Sequence, residues 1–382
     1  MSNFKLAVVA NSGWNIYNFR MDLINHLISQ GLDVVVIAGD DVHLQKLQKE
    51  TTWCIEPLMH MQEQGMHIGK EMLLFFEIMR LYRKHQPSIV LQFTIKPNLY
   101  GSLVARMMGI KAISNLTGLG VLAMNQGRVH QILQRLYKWA LQFNARVVFH
   151  NAEDLEWCVH RKMVGSHKAL VIPGSGINVS KFVKRKDSQG ERPFVFLMVA
   201  RMIRSKGVWE FFKAGENLLG KGLQCECWFV GNFDPDHQES LSIHEIEALK
   251  SSPFVRLIPF QDDVREVFEQ ADAFVLPSYR EGLPKAMLEA MAMELPVVTS
   301  RVAGCRHAVE EGVTGVLVEP RDAMALARGM EQLMMKDRFN LKEMGKRGRQ
   351  RVLERFESDV INTAYWNLLG ETMEKNMEQN TQ

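Results

Sequence analysis

The sequence predicts an α/β protein made of two successive doubly wound parallel-sheet domains. Three observations predict it. Short Val- and Ile-rich runs without polar alternation recur along the chain, the mark of parallel strands covered on both faces. Helical patterns separate these runs almost throughout. The rhythm breaks once, at the charged, Gly- and Pro-bearing segment 184–193 (KRKDSQGERP), and then restarts.

Before the break, strands are expected at 5–10, 33–38, 88–93, 111–115, 146–149 and 169–172, with helices at 18–30, 70–84, 99–108, 128–143 and 152–162. After it, strands are expected at 194–200, 225–230, 255–259, 273–277, 296–299 and 315–318. Helices fall between them at 208–219, 243–249, 264–270, 284–293 and 323–335. The expected domains are 1–175 and 176–355, followed by a closing helical segment, 356–382, whose last residues are polar. A chain of 382 residues is long enough for two such cores.

Composition narrows the class. With 46% hydrophobic and 23% charged residues the chain is an ordinary globular protein and not a disordered or fibrous one. No run of about 18 apolar residues is free of charge, so no spanning helix is expected. The start, Met1-Ser2-Asn3-Phe4-Lys5, enters a strand at once, so no signal peptide is expected. The expected location is cytoplasmic, at most peripheral on a membrane. Five scattered cysteines without a C-x-x-C pair point to a reducing compartment. Cys225 and Cys227 share one face of a strand, but no His or Cys cluster completes a metal site there. Residues 1–185 carry 21 Lys and Arg against 12 Asp and Glu, leaving 25 against 31 in the rest. That asymmetry fits an anionic partner for the first half, a phosphate-bearing acceptor or an anionic membrane surface; solvated basic faces are the plainer reading. The helix at 128–143 is basic and amphipathic, and the one at 70–84 raises the same question: membrane contact, or a core-facing helix with a wet side. No nucleic-acid partner is expected.

Ligands of open α/β sheets bind outside the carboxyl ends of the strands. Two such sheets make a central cleft the natural site, and they direct attention to the strand-end loops. The strand at 194–200 ends in Arg201, with Lys206-Gly207 following where a helix begins. A guanidinium fork and a mobile ammonium together make a receptor for a diphosphate. The strand at 273–277 ends in Ser278-Tyr279-Arg280-Glu281-Gly282-Leu283-Pro284. Pro284 suits a first helical turn. Gly282 allows close backbone approach, and the unpaired N–H groups of the helix start favour an anion. Glu281 beside such a site suits a sugar hydroxyl, and Glu289 lies farther along the same helix. In the first half, Asn11-Ser12-Gly13 offers a glycine for phosphate or sugar, without the full G-x-G-x-x-G. Arg20, at helix spacing beyond it, either faces the cleft or is solvated, with solvation the plainer reading. Lys96 and Asn98 after one strand, and Thr117 and Gly118 after the next, are acceptor-side candidates; ordinary turn chemistry is the alternative. Asp234-Pro235-Asp236 matches a metal-binding tripeptide only weakly and reads as a turn.

Together these elements resemble the retaining glycosyltransferases of the GT-B fold called family 4, over nearly the whole chain. Arg201…Lys206-Gly207 matches the family's R-x4-K-G element, and Glu281-Gly282-Leu283-Pro284…Glu289 its E-x7-E element. The stretches 171–178, 271–278 and 312–315 are also similar. The resemblance implies that Arg201 and Lys206 hold the diphosphate of a nucleotide sugar. It implies that Glu289 contacts the ribose and Glu281 the donor sugar near the reacting carbon. It further implies a nucleotide-binding second domain, an acceptor-binding first domain, a last helix that crosses back to the first domain, retention of configuration, and no metal or other cofactor. Many members carry a His after the strand that here ends at Asn115; this chain has Leu116-Thr117-Gly118, which leaves any side-chain base unassigned. The loops at 11–20, 96–98 and 117–120 look like a bacterial subgroup that extends undecaprenyl-diphosphate-linked sugars, N-acetylgalactosaminyltransferases among them. Two rivals remain at this level: a nucleotide-sugar 2-epimerase, for which no matching His-Glu set is found, and a non-catalytic nucleotide-sugar-binding partner.

Overall fold

A computed structural model describes residues 4–62, 68–119, 127–183, 192–235, 237 and 239–380, without the side chains of 127–130 and 375–380. Most of segment 184–193, along with His67, Gly120 and Asp236, lies outside the described residues. The chain divides into two compact units, Met1–Gly176 with Ser358–Gln382, and Ile177–Glu357.

The first unit holds seven parallel strands: β1 (Lys5–Ala10), β2 (Asp33–Gly39), β3 (Cys54–Leu58), β4 (Ile89–Phe93), β5 (Lys111–Leu116), β6 (Arg146–Phe149) and β7 (Ala169–Val171). Their order is β3-β2-β1-β4-β5-β6-β7. Strands β1 and β2 are apolar on both faces after their first residue because helices cover both. Leu6 to Ala10 are at most 1% exposed, and burying such a side chain contributes roughly 1.5–3 kcal/mol for each large aliphatic. The strand β3 was not expected; it is an edge strand carrying Glu56 and Pro57, which hide its pattern.

A single helix expected over 18–30 is two helices, Gly13–Phe19 and Met21–Ser29, meeting at Arg20, whose φ of −125° breaks the run. A second departure comes after β4. Pro97–Gly101 is a π-helical turn that leads into the helix Ser102–Met108. Buried Gln92 anchors it by accepting from Ser102 at 2.9 Å and donating to the Tyr82 hydroxyl at 3.2 Å. The last helix, Ser358–Asn380, packs on this unit: Ile361, Tyr365 and Leu368 join the core formed with Leu23, Ile24 and Leu27, and Ser358 donates to Asp22 at 3.2 Å.

The second unit holds β8 (Phe194–Val199), β9 (Cys225–Val230), β10 (Val255–Ile258), β11 (Ala273–Leu276), β12 (Val297–Ser300) and β13 (Gly315–Val318), ordered β10-β9-β8-β11-β12-β13 and all parallel. Helices Val208–Gly220 and Lys285–Ala292 follow β8 and β11. The second of these is short but firmly held. Met287, Leu288, Ala290, Met291 and Ala292 are all buried, and Arg349 of the helix Arg338–Arg355 donates to the carbonyls of Phe182 and Ala292. Fixing that helix fixes the direction of its amino end.

Candidate functional site at the rim of the second sheet

The strand order sets the site. The strand order of the doubly wound sheet reverses its progression between the parallel neighbours β8 and β11, and the crevice beyond their carboxyl ends is where such sheets bind ligands. The loops that leave these two adjacent strands carry Arg201, Lys206, Glu281 and, one turn into the helix, Glu289. They are stitched together: Tyr279 N–H donates to the Ser205 carbonyl at 2.9 Å. Gly207, at φ +75°, closes the other contact. A Cβ there would lie 2.2 Å from the Pro277 carbonyl oxygen, so this step of R-x4-K-G admits only glycine. The loop is also braced from outside. Arg204 donates twice to Glu245 at 2.8 Å, and Ser205 donates to Glu239. Glu245 belongs to a capping box with Ser242, and its bonds from the Ser242 backbone and from Arg204 hold its carboxyl at about 2.

At the centre Lys206 Nζ lies 2.6 Å from Glu281 Oε1, with side chains 22% and 10% exposed. The motif's ammonium and the carboxylate expected at the donor sugar are therefore one ion pair before any ligand enters. Arg201 is exposed and makes no ion pair among the described residues. Glu289 is largely buried; burial pushes its carboxyl up, and Lys285 at 3.5 Å opposes that push. At the rim Lys206 stands against Glu281 and Lys285 against Glu289, and Arg201 lies beyond the end of β8. Gly282 and Leu283 are half-buried in the turn before it, and Pro284 caps it without a side-chain hydrogen bond.

The sequence reading missed the third wall. The helix Ala303–Ala308 follows β12, and Gly304 N–H donates to the Glu281 carbonyl at 3.2 Å. The Cys305 thiol is buried and pushed up to about 12, mainly by burial and further by the Glu281 carboxylate. Ser278 follows β11 and Ser300 ends β12, with buried hydroxyls that lack partners among the described residues. Attention to every strand end, not only to those carrying charge, would have found both. Tyr279 donates to buried Glu210 at 2.7 Å; burial and that carboxylate push its phenol up to about 12, and Arg321 lies over its ring at 4.6 Å.

In the first unit several expectations change. The absence of a side chain at Gly13 serves packing: a Cβ would stand 2.3 Å from Leu44 N and 2.4 Å from an Asp41 oxygen, at the start of the helix Val42–Glu50. Asn98 is 1% exposed and donates to the Asn115 carbonyl at 2.8 Å and the Tyr137 hydroxyl at 2.9 Å, so it supports the turn instead of facing an acceptor. Lys96 pairs with Glu71 at 2.6 Å, both largely buried. Thr117 and Gly118 stay half-buried just beyond β5. Arg20 is not solvated. It is 2% exposed, with its guanidinium carbon 3.7 Å from the centre of the Phe93 ring. Metal-type ligands gather at Cys54, Glu56 and His85, where Glu56 already accepts from Lys84 at 2.6 Å and His85 at 2.8 Å.

Comparison with known proteins agrees with this division. A family profile described as "Glycosyl transferase 4-like" matches residues 5–151, and one described as "Glycosyl transferases group 1" matches 180–351. Among curated relatives, the N,N'-diacetylbacillosaminyl-diphospho-undecaprenol alpha-1,3-N-acetylgalactosaminyltransferase of Campylobacter jejuni is 26% identical over 95% of this chain and 98% of its own. The capsular polysaccharide biosynthesis glycosyltransferase CapM of Staphylococcus aureus is 25% identical over 88% of this chain and 90% of its own. In fold, sucrose-phosphate synthase from Thermosynechococcus elongatus superposes with a TM-score of 0.80 at 19% identity, covering 98% of this chain and all of that one. Anabaena HepE in complex with UDP and glucose gives 0.78 at 16%, covering 97% and all of that chain. The two profiles fall one on each sheet and between them account for most of the sequence, so the chain belongs to the GT-B glycosyltransferases, with a 4-like first unit and a group 1 second unit.

Proposed function

We propose that the chain transfers a sugar, with retention, from a UDP-sugar to a saccharide carried on polyprenyl diphosphate, in the assembly of bacterial surface polysaccharide or glycan. The observation that carries the donor half is the Lys206–Glu281 pair at the switch point of the second sheet, beside the amino end of the helix Lys285–Ala292. A diphosphate entering there meets Arg201 unpaired and competes with Glu281 for Lys206. As the sugar–phosphate bond breaks, negative charge grows on the departing diphosphate. Arg201, Lys206 and the helix amides are in place to receive it, the electrostatic kind of catalysis. Glu281, released in part from the ammonium, is free to accept from a hydroxyl of the donor sugar. Glu289 is assigned to the ribose, where a carboxyl raised by burial accepts or donates as the hydroxyls require. These cations do the work a divalent ion does elsewhere, and the proposed reaction runs without a metal.

The acceptor half rests on the Campylobacter jejuni relative, whose name gives a diphospho-undecaprenol-linked sugar, and on the excess of Lys and Arg in residues 1–185. Thr117 and Gly118 are assigned to the acceptor side, with Lys96 braced by Glu71 behind them. Such an acceptor lives in a membrane, and two exposed apolar stripes on the first unit suit a peripheral contact. Ile68, Met72, Leu73 and Phe76 are at least 50% exposed on the helix Ile68–His85, and Ile132, Leu136 and Trp139 are at least 43% exposed on the helix Gly127–Gln142. Arg80, Arg83 and Arg135 are exposed along them. No helix among the described residues is long and apolar enough to cross a membrane. The test is a screen of nucleotide-sugar donors against polyprenyl-diphosphate saccharides, with and without EDTA, reading product anomer by NMR. Inverted product, or transfer abolished by EDTA and restored by a divalent ion, would overturn the mechanism. Failure with every lipid diphosphate, alongside transfer to a soluble sugar, would overturn the acceptor.

A further inference from the structure

The first sheet has its own switch point, between β1 and β4, and there the chain buries a charge without a counter-charge. Arg20 sits at the joint between the helices Gly13–Phe19 and Met21–Ser29, stacked on Phe93, the last residue of β4. Its Nε and Nη1 are buried and without hydrogen-bond partners among the described residues. Burial lowers its pKa to about 10, so it keeps its charge at neutral pH. The groups around it are neutral. Tyr365, whose field acts on Arg20, donates to Asn115 at 2.7 Å. His150, just past β6, is brought down to about 3 by burial and then by Arg20, so it is uncharged. Further polar atoms at this rim are also buried and unmet: Asn11 Oδ1 after β1, Asn15 Oδ1, Thr94 Oγ1 after β4 and His150 Nε2. Asn11 and Thr94 are the residues that directly follow the parallel neighbours β1 and β4. Thr94 has φ +73°, a left-handed conformation that a β-branched residue rarely adopts and that marks stored strain.

A guanidinium taken from water and stacked only on a ring is costly, and so is each unmet polar atom beside it. Concentrating these costs at a strand-end crevice is the pattern of a site that an anion completes. A planar fork with open N–H groups fits the oxygens of a phosphate in particular. We propose that Arg20 is the receptor for a diphosphate at the switch point of the first sheet, with Asn11, Thr94 and His150 as its polar surround. Resting on the reading above, that diphosphate is the one on the lipid-linked acceptor; free pyrophosphate shares the chemistry and is the other source.

The test follows the Arg20 Nε–Hε resonance of the full chain, labelled with 15N-arginine. Arg20→Lys assigns the resonance by its loss, and Phe93→Leu assigns it independently through the lost ring current. Sodium pyrophosphate and a short-chain polyprenyl-diphosphate saccharide are titrated in separate arms. The expected result is a saturable shift with the lipid-linked compound. In Arg20→Lys the acceptor KM should rise about tenfold or more while the donor KM stays within about twofold. A saturable shift with pyrophosphate alone supports the anion site and assigns it to the free ion. A resonance that ignores both compounds at saturation overturns the proposal, and so does an unchanged acceptor KM with an unchanged resonance. The two readings fail separately: a responsive Arg20 in a protein inactive on every lipid acceptor sinks the acceptor assignment only, and an active enzyme with a silent Arg20 sinks this one.

Discussion

The two sheets share one topology and treat charge at their switch points in opposite ways. On the second sheet the half-buried ammoniums are met, Lys206 by Glu281 at 2.6 Å and Lys285 by Glu289 at 3.5 Å, while Arg201 stays exposed to solvent. On the first, Arg20 has only the Phe93 ring and neutral neighbours. A paired rim holds its geometry without ligand, and a ligand must displace one partner. An unpaired buried cation costs stability until something anionic arrives. The difference teaches that a strand-end cation is to be judged by what already opposes it, not by its presence.

The sharpest way to break this comparison is to remove the paired ammonium. Lys206→Ala is expected to lower kcat/KM by about 10²–10³-fold, since one donor to developing charge is lost. Steady-state UDP release with far-UV circular dichroism as a folding control measures it. An effect under about fivefold would mean that Lys206 serves Glu281 alone and that Arg201 and the helix amides suffice.

Stability separates the two rims by sign. Lys206→Met strands the Glu281 carboxylate, 10% exposed, and is expected to cost on the order of 1–2 kcal/mol, less than for a fully buried pair. Arg20→Met removes an unpaired charge and keeps apolar bulk against Phe93. It is expected to be neutral or to stabilise by about 1 kcal/mol. Ligand-free urea unfolding of each variant decides this. A destabilising Arg20→Met would show that the cation–ring stack outweighs the desolvation, which would collapse the contrast between the rims.

Much of this was legible in the sequence, and what was not has physical causes. Buried parallel strands such as β1 and β2 read cleanly because, after their first residue, both faces are apolar. The helix Arg338–Arg355 did not, because it buries chiefly Met344, Gly345, Gly348 and Val352 and is otherwise polar. The helix Val42–Glu50 is short, with only Leu44 and Leu47 buried, although Asp41 caps it. The loops at Arg201–Lys206 and Glu281–Pro284 were found from motif and strand end together. Their ion pair was not, since it joins residues 75 apart and depends on β8 lying beside β11. Arg20 shows the limit most plainly: residue type favours solvent for arginine, and only packing reveals its burial.

A smaller effect sharpens the paired rim from its own helix. Glu289→Gln keeps shape and removes charge, so the donor KM is expected to rise about tenfold with kcat little changed, as for uniform binding to the ribose. Stability supplies a second readout. The Glu289 carboxyl is raised by burial in the folded chain, so folding favours its protonated form. That contribution is full below the ordinary Glu range and is lost as pH rises through the raised value. The glutamine variant should lack this dependence. Parallel pH-stability curves for the two proteins would count against a buried, raised carboxyl.

The smallest expected change is at the exposed brace. Arg204 and Glu245 make a two-bond pair at 2.8 Å, but with the arginine side chain 47% exposed such a pair contributes under about 1 kcal/mol. Glu245 is held at about 2, by the Ser242 backbone first and Arg204 second. The stabilisation is therefore present above the ordinary Glu range and is lost as pH falls towards about 2. In Arg204→Ala the capping bond from Ser242 remains, so the acid loss should start at the same pH, finish at a higher one and have a smaller amplitude. Activity should fall by less than about fivefold, because Tyr279 and Gly207 still tie the loop to β11. A drop as large as that of Lys206→Ala would show that the brace, and not the paired rim, sets the position of the ammonium.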